Sequence, residues 1–522
     1  MGAQQVLTAI NPATGEPIGQ VPLNSPDEVR ARIEEAQQAF PMWSSLSIRQ
    51  RAAYLLRARD YMLDRVDEIC SLISRENGKP RIEALTNEVF LAADLITYYA
   101  PRAEKLLSDR PIPLHNPLMK LTKVSRLVYQ PLGVVSVVTP WNYPFAIPMS
   151  GIVFALLAGN TVVFKPASSA ALVGLKVAEV LNVGGALPHG VLNTVVAAGS
   201  SVGTALFEPP IRKVVFTGST EVGRLIQEVA ARHFIPTVME LGGKDPMVVC
   251  EDADLDMAAA GAVWGAFTNC GQVCASVERV YVAKKVHDAF VEKVVARTKA
   301  LRVGPDLDFG VDIGPMANEA QLKVVEDHVL DAISKGARVL VGGKRVGGPG
   351  LFFEPTVMVD VNHSMKVMRE ETFGPVMPVM MFDSEEEAIS LANDTDYGLT
   401  ASVWTKNRAR GEALASRLNA GTVTINDCVY TYGLCETPWQ GMKYSGTARS
   451  HSDQGLYEFV YPKHINVDRS PLRDRMWWFP YSKAAYEVQK MAVRAFVSAR
   501  AMPGFLASLL RRKEYRRTLL RK

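Results

Sequence analysis

The feature of this 522-residue chain that most constrains its fold is a regular alternation of short β-rich runs with helix-length segments. Strands separated by helices predict a parallel sheet with helices on its faces, because parallel strands need a crossover connection. The alternation occurs in two series, so we predict an α/β protein with two sheet domains in tandem. The predicted strands of the first series are 134–139, 161–165, 191–195, 214–217 and 237–241. Those of the second series are 247–250, 279–282, 338–341, 376–382, 401–404 and 422–426.

The length and the charge distribution add two constraints. The chain is longer than one hydrophobic core usually serves, which also favours more than one domain. Its formal net charge of +4 hides an asymmetry, since residues 468–522 hold 14 Lys and Arg against 4 Asp and Glu. The first 467 residues therefore carry a net charge of −6. A mildly acidic body argues against a general nucleic-acid binder, and the basic tail predicts a separate role for that segment.

The cysteines and the first residues indicate the compartment. Six cysteines are too few in so long a chain for a disulfide framework, and no two of them form a Cys-x-x-Cys pair. This predicts a reducing compartment and no metal site. The first residues lack the basic segment and apolar run of an export signal, so we expect a cytoplasmic protein.

A loop-like run places Cys274 after Asn269, Gly271 and Gln272, and Glu240 lies 34 residues upstream. A catalytic thiol needs a partly exposed loop, nearby backbone N–H groups and a polar setting that favours the thiolate. Cys274 and Glu240 therefore suggest a thiol nucleophile and a water-activating base. Taken alone, Cys274 is more simply explained as an ordinary buried small residue.

A nucleotide site is suggested without the usual glycine signature. No Gly-x-Gly-x-x-Gly sequence follows a predicted strand. Residues 213–216 nevertheless have the pattern of a strand, 217–220 of a tight turn and 221–232 of a helix. The first turn of such a helix offers free N–H groups and a hydroxyl to a pyrophosphate, although a plain N-cap is the alternative. Lys165 ends another predicted strand just before Pro166, where α/β sheets bind ligands.

These segments, in this order, resemble the aldehyde dehydrogenase superfamily. The matching motifs span most of residues 11–467. They are Thr139-Pro140-Trp141-Asn142, Lys165-Pro166, Phe216-Thr217-Gly218-Ser219-Thr220, Glu240-Leu241-Gly242-Gly243-Lys244, Gly271-Gln272-Val273-Cys274, Glu371-Thr372-Phe373-Gly374-Pro375 and Gly441-Met442-Lys443-Tyr444-Ser445-Gly446. The resemblance implies two Rossmann-like parallel-sheet domains, a small β oligomerisation arm and a helical C-terminal tail. The implied ranges are a cofactor-binding domain at 1–117 and 138–242, a catalytic domain at 243–425, arm segments at 118–137 and 426–467, and a tail at 468–522.

The resemblance also implies a mechanism, in which Cys274 attacks an aldehyde carbon to give a thiohemiacetal. The side-chain amide of Asn142 and the backbone N–H of Cys274 would hold the oxyanion and stabilise the transition state more than the ground state. Hydride transfer to a nicotinamide would leave a thioester, and Glu240 would activate the water that hydrolyses it to a carboxylic acid. Lys165 completes the implied catalytic set. The alternatives are a coenzyme A acceptor, against which Glu240 argues, and a non-catalytic scaffold, against which all three reactive side chains argue.

The cofactor implied by the resemblance is NAD or NADP. Glu371 and Phe373 match residues that hold the nicotinamide ribose and pack near the ring. Trp141 and Ser219 match residues that lie beside the pyrophosphate. The other residues of the implied cofactor site are Thr139, Gly218, Gly223 and Leu241.

Two further positions bear on the choice between NAD and NADP. Lys165 matches a lysine that reaches the adenine ribose. Three residues later this chain has Ser168, where NAD-preferring members of the superfamily often have a glutamate that chelates the ribose hydroxyls. The serine removes an obstacle to the 2′-phosphate of NADP, so we expect either cofactor to bind.

Apolar side chains surround the implied substrate tunnel. They are Tyr143, Phe145, Met149, Phe267 and Val273. A mainly apolar lining predicts a medium- or long-chain aliphatic aldehyde or an aromatic one, since an acidic or phosphorylated aldehyde would need convergent arginines. The alternative is that these residues belong to the hydrophobic core.

Segments 121–130 and 458–467 alternate apolar and polar residues, as two-sided strands do. An unpaired strand edge invites another chain, so we expect a homodimer or homotetramer. A hairpin that lies on its own domain is the alternative.

The C-terminal tail has a composition of its own. It has an aromatic cluster at 476–481, a helical stretch at 482–502 and an apolar run at 505–510 before basic residues. No apolar stretch reaches the ~20 residues needed to cross a bilayer. The tail fits a helix on an anionic membrane surface, and the alternative is a segment packed on a partner subunit or over the substrate entrance.

Overall fold

The structure of the chain is a computed structural model that describes residues 5–198, 202–470, 475, 477–498, 503 and 507. The density of its internal contacts divides the chain into two compact units. The first unit comprises Met1–Leu106 and Pro131–Val460, and the second comprises Leu107–Gln130 and Tyr461–Lys522.

The strands are numbered in sequence order. They are β1 (Val6–Ile10), β2 (Pro17–Pro22), β3 (Arg110–Ile112), β4 (Lys123–Pro131), β5 (Val134–Val138), β6 (Thr161–Lys165), β7 (Leu192–Thr194), β8 (Ile211–Thr217), β9 (Thr237–Glu240), β10 (Asp245–Val249), β11 (Val277–Ala283), β12 (Arg338–Val341), β13 (Thr356–Val359), β14 (Val376–Phe382), β15 (Thr400–Trp404), β16 (Thr422–Ile425), β17 (Gly446–Thr447) and β18 (Val460–Asp468). The first two strands form an antiparallel pair, and the others form three sheets.

The α-helices are numbered in the same way. They are α1 (Pro26–Ser45), α2 (Ile48–Leu63), α3 (Val66–Asn77), α4 (Arg81–Ala84), α5 (Phe90–Tyr99), α6 (Ala103–Leu107), α7 (Pro117–Thr122), α8 (Ala146–Ala158), α9 (Ala171–Glu179), α10 (Thr220–Arg232), α11 (Leu255–Phe267), α12 (His287–Lys299), α13 (Glu319–Ser334), α14 (Lys366–Arg369), α15 (Glu385–Asn393), α16 (Arg408–Ala415), α17 (Ser452–Tyr457) and α18 (Lys483–Val497). Local sequence sets several of their starts: Ser25 and Ser47 each form a capping box, which satisfies N–H groups that a helix end leaves free.

The first sheet has, among the described residues, six strands in the order β17, β9, β8, β5, β6, β7, and only β17 runs antiparallel to its neighbour. β5 and β6 are buried along their whole length, as expected for parallel strands covered on both faces. Val138 pairs with both Lys165 and Phe216, and Thr217 pairs with Glu240. The carboxyl ends of β5, β6, β8 and β9 therefore meet at one edge of the sheet.

The second sheet has seven strands within the described ranges, in the order β12, β13, β14, β11, β10, β15, β16, with only β12 antiparallel. The predicted α/β class with parallel sheets is confirmed. β6, β12 and β14 have the bounds that the sequence predicts. The sequence does not predict β13. The helix between β13 and β14, α14, has a single turn, so the alternation of strands with helix-length segments is not apparent there.

The second unit contains a three-stranded sheet in the order β18, β4, β3. β4 and β18 correspond to the alternating segments predicted at 121–130 and 458–467. Residues Tyr461 to Asp468 are largely exposed, as in a strand at a sheet edge. β5, which lies mostly within the predicted arm segment 118–137, instead belongs to the six-stranded sheet, because its five residues are buried on both faces.

The tail is described in part. Ser482 caps α18, whose side chains Val488, Ala492 and Ala495 are buried. The predicted apolar run at 505–510 and the basic residues after it lie, except for 507, outside the described residues. Within the described part of the chain, no helix is both long and apolar enough to cross a membrane.

Candidate active site

The loop that carries Cys274 begins where α11 ends. Asn269, Cys270 and Gly271 follow one another with φ angles of 49°, 56° and 72°, which non-glycine residues adopt at a cost. A Cβ atom on Gly271 would lie 2.2 Å from the carbonyl oxygen of Gly374, so only glycine fits there. This left-handed run reverses the chain and leaves Cys274 partly exposed just before β11.

Buried hydrogen bonds hold this strained loop. The Glu83 carboxylate accepts from the Asn269 N–H at 2.9 Å and from the Thr268 hydroxyl at 2.9 Å. The Asn269 side-chain amide donates to the carbonyls of Asn142 at 3.0 Å and Gln272 at 3.1 Å. Burial raises the pKa of Glu83, and these hydrogen bonds act in the opposite direction. Glu83 is not predictable from the sequence, because an acidic residue in a helical segment is usually solvated.

Asn142 lies in the turn after β5, and its side chain is buried. Its Nδ2 donates to the Gln272 carbonyl at 3.1 Å, and one of its two amide hydrogens is therefore available to a further acceptor. Its backbone carbonyl accepts from Lys79 Nζ at 2.7 Å. Asn142 is thus tied to the Cys274 loop on one side and to a buried cation on the other.

Lys79 forms an ion pair with Glu88 at 2.7 Å, and both side chains are fully buried. The second Glu88 oxygen accepts from the backbone N–H groups of Phe145 at 2.7 Å and Ala146 at 3.0 Å, at the start of α8. Lys79 Nζ also lies 3.9 Å from the centre of the Tyr143 ring. One ion pair therefore fixes the turn that contains Asn142 and Tyr143.

Glu240 ends β9 and is buried. One carboxylate oxygen accepts from the Ser450 hydroxyl at 3.1 Å, and the other, Oε2, has no hydrogen-bond partner among the described residues. Burial raises the pKa of Glu240 to about 8, although the Ser450 hydroxyl and the nearby Trp439 act against the shift. Glu240 and Cys274 line the same small cavity.

The Cys274 thiol does not have the thiolate-favouring setting that the sequence analysis expects. Burial raises its pKa, and the nearby carboxyl groups of Glu371, Asp245 and Glu240 raise it further. The reason is that the loop is packed against acidic side chains and not against a cation. The thiol is therefore protonated at neutral pH and needs a base to become a nucleophile.

Two glycines bring the backbone after Glu240 close to the reactive loop. A Cβ atom on Gly243 would lie 2.2 Å from the Cys274 carbonyl oxygen, and one on Gly242 would lie 2.5 Å from a Glu371 carboxylate oxygen. The Gly243 N–H donates to Glu371 Oε1 at 3.0 Å. Burial raises the pKa of Glu371 to about 8. Glu371 and Cys274 are therefore held on either side of one glycine pair.

A second buried ion pair fixes the loop that carries Glu371. Lys244 Nζ contacts Glu278, with 0% and 3% of the two side chains exposed. Glu278 also accepts from the backbone N–H groups of Thr372 at 2.8 Å and Phe373 at 2.9 Å. The Phe373 ring in turn meets the Trp141 ring edge-on, with centroids 5.5 Å apart.

The remaining predicted cofactor residues lie at the carboxyl edge of the six-stranded sheet. Ser219 caps α10, where its hydroxyl accepts from the Val222 N–H at 3.4 Å. A Cβ atom on Gly223 would lie 2.5 Å from a Leu241 methyl group, so the glycine lets Leu241 pack on this helix. The others follow β5, end or follow β6, or follow β8: Thr139, Lys165, Ser168 and Gly218.

Lys165 and Ser168 have few partners in this edge. Burial lowers the pKa of Lys165, whose Nζ is 3.5 Å from the Pro166 carbonyl oxygen. The Ser168 hydroxyl donates to the Ala197 carbonyl at 3.3 Å. Neither contact is charged.

A cavity of about 620 Å³ is lined by Cys274 and by none of the sheet-edge residues named above. Tyr143 and Val273 line it, whereas Phe145, Met149 and Phe267 do not. The latter three are almost completely buried and belong to the packed interior. The full lining is Thr86, Asn87, Phe90, Leu91, Tyr143, Ala146, Ile147, Trp264, Thr268, Val273, Cys274, Ala275, Val429, Tyr430, Tyr432, Gly433, Leu434 and Trp439.

Most of this lining is missed by sequence reasoning. Tyr430, Tyr432 and Trp439 come from a loop about 160 residues after Cys274. The concentration of aromatic residues between 430 and 439 is the signal that could have identified them. Nothing in a single sequence shows that this loop covers the cavity.

The sequence and the fold were compared with those of known proteins. The model of the aldehyde dehydrogenase family matches residues 1–465. A 4,4'-diapolycopene aldehyde oxidase of Methylomonas sp is 39% identical over 92% of this chain and 89% of its own length. The succinate-semialdehyde dehydrogenase (NADP+) of Escherichia coli strain K12 is 38% identical over 89% of this chain and 94% of its own.

A solved structure agrees with the sequence relatives. The betaine aldehyde dehydrogenase of Staphylococcus aureus in complex with NAD+ is 31% identical, with a TM-score of 0.86 over 91% of this chain and 94% of its own. The resemblance and the enzyme class predicted from the sequence are confirmed. The chain belongs to the aldehyde dehydrogenase family.

Proposed function

We propose that this enzyme oxidises an apolar aldehyde to the carboxylic acid, with NAD or NADP as hydride acceptor. The observation that carries the proposal is that Cys274 lines two adjoining cavities. One is small and includes the Glu240 carboxylate, and the other is the apolar cavity of about 620 Å³. A carbonyl carbon at Cys274 can therefore have a hydrocarbon chain on one side and a base on the other.

The first step is attack of Cys274 on the aldehyde. With its pKa raised to about 8, Glu240 is a stronger base than an ordinary glutamate, and its ionised form can take the thiol proton. The sulfur then bonds to the carbonyl carbon, and the carbonyl oxygen becomes an oxyanion. The free N–H of the Asn142 amide and the Cys274 backbone N–H are the donors for it, and one such donor typically contributes ~3 kcal/mol to transition-state stabilisation.

The residues at the sheet edge fit a nicotinamide dinucleotide. The Thr139 hydroxyl is buried and has no partner within the described part of the chain, so it can bond to a ligand. The first turn of α10 has free N–H groups that suit a pyrophosphate, and Glu371 accepts only one described backbone N–H. When bound, the nicotinamide supplies the hydride acceptor that turns a thiohemiacetal into a thioester. Names of relatives support both cofactors, since one specifies NADP+ and one structure contains NAD+.

The last step is hydrolysis of the thioester. Glu240 takes a proton from water, the oxygen bonds to the acyl carbon, and the sulfur leaves as the acid forms. Ser450 holds one oxygen of Glu240, so Oε2, which has no partner among the described residues, is the atom available to take a proton from water. The same carboxyl can return its first proton to solvent before this step.

The lining of the cavity favours an apolar substrate. The names of the relatives give 4,4'-diapolycopene aldehyde for one and succinate semialdehyde for another, and the second substrate carries a carboxylate. Among the described residues that line the larger cavity there is no lysine or arginine. A carboxylate at the far end of the substrate would be buried without a counter-charge, which costs several kcal/mol.

The proposal is tested with hexanal and succinate semialdehyde, each with NAD+ or NADP+, with and without coenzyme A. We expect reduced cofactor and hexanoic acid without coenzyme A, and a kcat/KM for hexanal about 100-fold above that for succinate semialdehyde. Cys274→Ala is the control for cofactor reduction that does not depend on the site. A reaction that requires coenzyme A, or a preference for succinate semialdehyde, would contradict the proposal.

The second unit suggests how subunits pair. We propose that the exposed edge of β18 adds to the same edge of another subunit, giving a dimer or tetramer. Light scattering of the wild type and of a variant with Ile465→Pro, which removes a backbone N–H of β18, tests this. An unchanged molar mass for a correctly folded variant would exclude this edge as the interface.

The tail has two proposed roles, a membrane-surface contact and a cover for the substrate entrance. Its basic charge supports the first, and the second, over the entrance of the same or the partner subunit, is the alternative. Co-sedimentation of full-length and 1–467 protein with anionic vesicles separates them. Salt-sensitive binding that requires the tail indicates the first role, and no binding together with a changed KM after truncation indicates the second.

A further inference from the structure

Three aromatic side chains stand where the larger cavity opens to solvent. Phe90, Trp264 and Tyr430 line the cavity that includes Cys274, yet they are 59%, 44% and 46% exposed. Residues that both line a cavity and face solvent mark its mouth. We call these three the aromatic rim. Exposed aromatic groups gathered around one opening indicate a binding surface, since covering them with apolar matter is favourable.

One wall of the mouth is a helical run that contains a π-helical turn. α4 and α5 form one helical run that is joined by the π-helical turn Leu85–Val89. Such a turn inserts one extra residue per turn and rotates the residues that follow, and it occurs frequently at functional sites. Thr86, Asn87 and Phe90 all line the cavity. The π-helical turn therefore brings Phe90 to the mouth.

Another wall is a strained loop. Asn426 and Val429 have φ angles of 58° and 69°, and the second is a clear outlier for a β-branched residue. The Asn426 amide holds its conformation through hydrogen bonds of 2.9 Å to both the N–H and the carbonyl of Thr405. Strain of this kind persists only where the surroundings enforce it. Its result is that Val429 and Tyr430 face the cavity.

The third member of the rim comes from the helix that leads to the nucleophile. Trp264 lies one turn before the end of α11, after which the chain enters the left-handed run and reaches Cys274. Met257, two turns earlier on the same helix, is also 44% exposed. The apolar surface of the rim thus continues from the mouth along α11.

We propose that the aromatic rim is an outer binding site for the hydrocarbon chain of a long-chain aldehyde, for the part that reaches the mouth of the cavity when the carbonyl lies at Cys274. This rests on the proposed oxidation of an apolar aldehyde. The described lining between Cys274 and the rim contains no charged side chain, so nothing along the path requires a polar group on the substrate. A short aldehyde fills the inner cavity and gains little from the rim.

The rim does not touch the reacting carbon, and this determines the kinetic effect. An interaction that is equal in the bound substrate and in the transition state lowers KM and leaves kcat alone. Loss of the rim should therefore raise KM for long aldehydes. The KM for short aldehydes depends on the inner lining.

The test compares hexadecanal with hexanal for the wild type, Phe90→Ala, Trp264→Ala and the double variant. We expect the ratio of kcat/KM for hexadecanal to that for hexanal to fall about 10-fold in each single variant, through KM. Phe90→Leu, which keeps an apolar side chain, should restore most of the ratio. Phe234→Ala is the matched control, because Phe234 is 94% exposed and does not line the cavity.

Three outcomes decide the matter. A ratio that falls in the rim variants and not in Phe234→Ala supports the proposal. An unchanged ratio, or an equal fall for both aldehydes with an unchanged melting temperature, overturns it while the proposed oxidation stands. A wild-type enzyme that oxidises neither aldehyde contradicts the proposed function itself.

Discussion

The two sides of Cys274 are built in different ways. On the side of Glu240 and Glu371, buried ion pairs and closely approaching glycines fix each group, and a Cβ atom on Gly242 or Gly243 would meet a neighbour. On the side of the apolar cavity, the described lining has no charged side chain and includes partly exposed aromatic side chains. The chemistry depends on a few fixed polar contacts, whereas the choice of substrate depends on the apolar area that the cavity offers. Substitutions on the first side should therefore affect kcat and stability, and those on the second side KM.

The largest effect should come from Cys274→Ala. Without the sulfur no covalent intermediate forms, and we expect kcat to fall by at least ~10⁴-fold. The measurement is acid formation with hexanal under saturating cofactor. Cys428→Ala is the control, since Cys428 is a buried cysteine outside the reactive loop. Activity within about 10-fold of the wild type would show that Cys274 is not the nucleophile.

Glu240→Gln should have the next largest effect. Loss of the base should lower kcat by about 1,000-fold. In the wild type, activity should rise with pH through about 8, the pKa of Glu240, because only the carboxylate accepts a proton. This rising limb should be absent from the residual activity of the variant. A limb that persists with the same midpoint would assign it to another group, of which Asp245 and Glu371 also have a pKa of about 8.

Glu240→Gln lowers kcat but should raise the stability of the folded protein at high pH. A carboxyl group whose pKa is raised in the folded state binds its proton more tightly there than in the unfolded chain. Its contribution to stability is therefore lost as pH rises from the ordinary range of glutamate to about 8. Glu240→Gln carries no charge to bury, so its melting temperature should exceed that of the wild type at pH 9 by more than at pH 5. Equal differences in melting temperature at the two pH values would show that the pKa of Glu240 is not raised in the folded protein.

A smaller effect is expected from Lys244→Met, which leaves Glu278 buried without its cation. We expect the free energy of unfolding to fall by about 3 kcal/mol. The KM for the cofactor should rise as well, because Glu278 also holds the backbone before Phe373. The double variant Lys244→Met with Glu278→Gln should recover part of the stability, as measured by urea unfolding. If the free energy of unfolding of the single variant falls by less than about 1 kcal/mol, the Lys244–Glu278 ion pair does not fix the polar side of Cys274.

The smallest effect is expected from Leu434→Ala on the apolar side. Leu434 lines the cavity without being fully buried. Removal of its side chain should raise KM for hexanal about 5-fold, consistent with the loss of a partly buried apolar group. Its kcat and pH profile should match those of the wild type. A change in kcat equal to that in KM would mean that the two sides of Cys274 are coupled.

The sequence predicts the parts of this molecule that repeat a regular pattern. Strands β6, β12 and β14 are predictable because apolar runs of that length lie between clear turn or helix signals. Cys274 and Glu240 are predictable because their motifs are contiguous. The ion pairs of Lys79 with Glu88 and of Lys244 with Glu278 are not, because nothing local distinguishes a buried charge from a solvated one.

The substrate side shows the same limit. Phe145, Met149 and Phe267 are apolar and adjacent in sequence to reactive residues, yet they face the interior. The direction of a side chain depends on the phase of α8 and α11, which a short segment does not determine. The aromatic groups that do line the cavity come from distant segments that only the fold brings together.

The three carboxyl groups around Cys274 have a consequence for how the site manages its charge. With a pKa of about 8 each, Glu240, Asp245 and Glu371 keep the resting pocket close to electrically neutral at pH 7. When an ionised Glu240 takes the thiol proton, the negative charge only moves from oxygen to sulfur, and the total stays the same. Glu240 must first lose its own proton to solvent, and the transfer from the thiol that follows needs no further ion. An uncharged substrate can enter and leave without disturbing that balance.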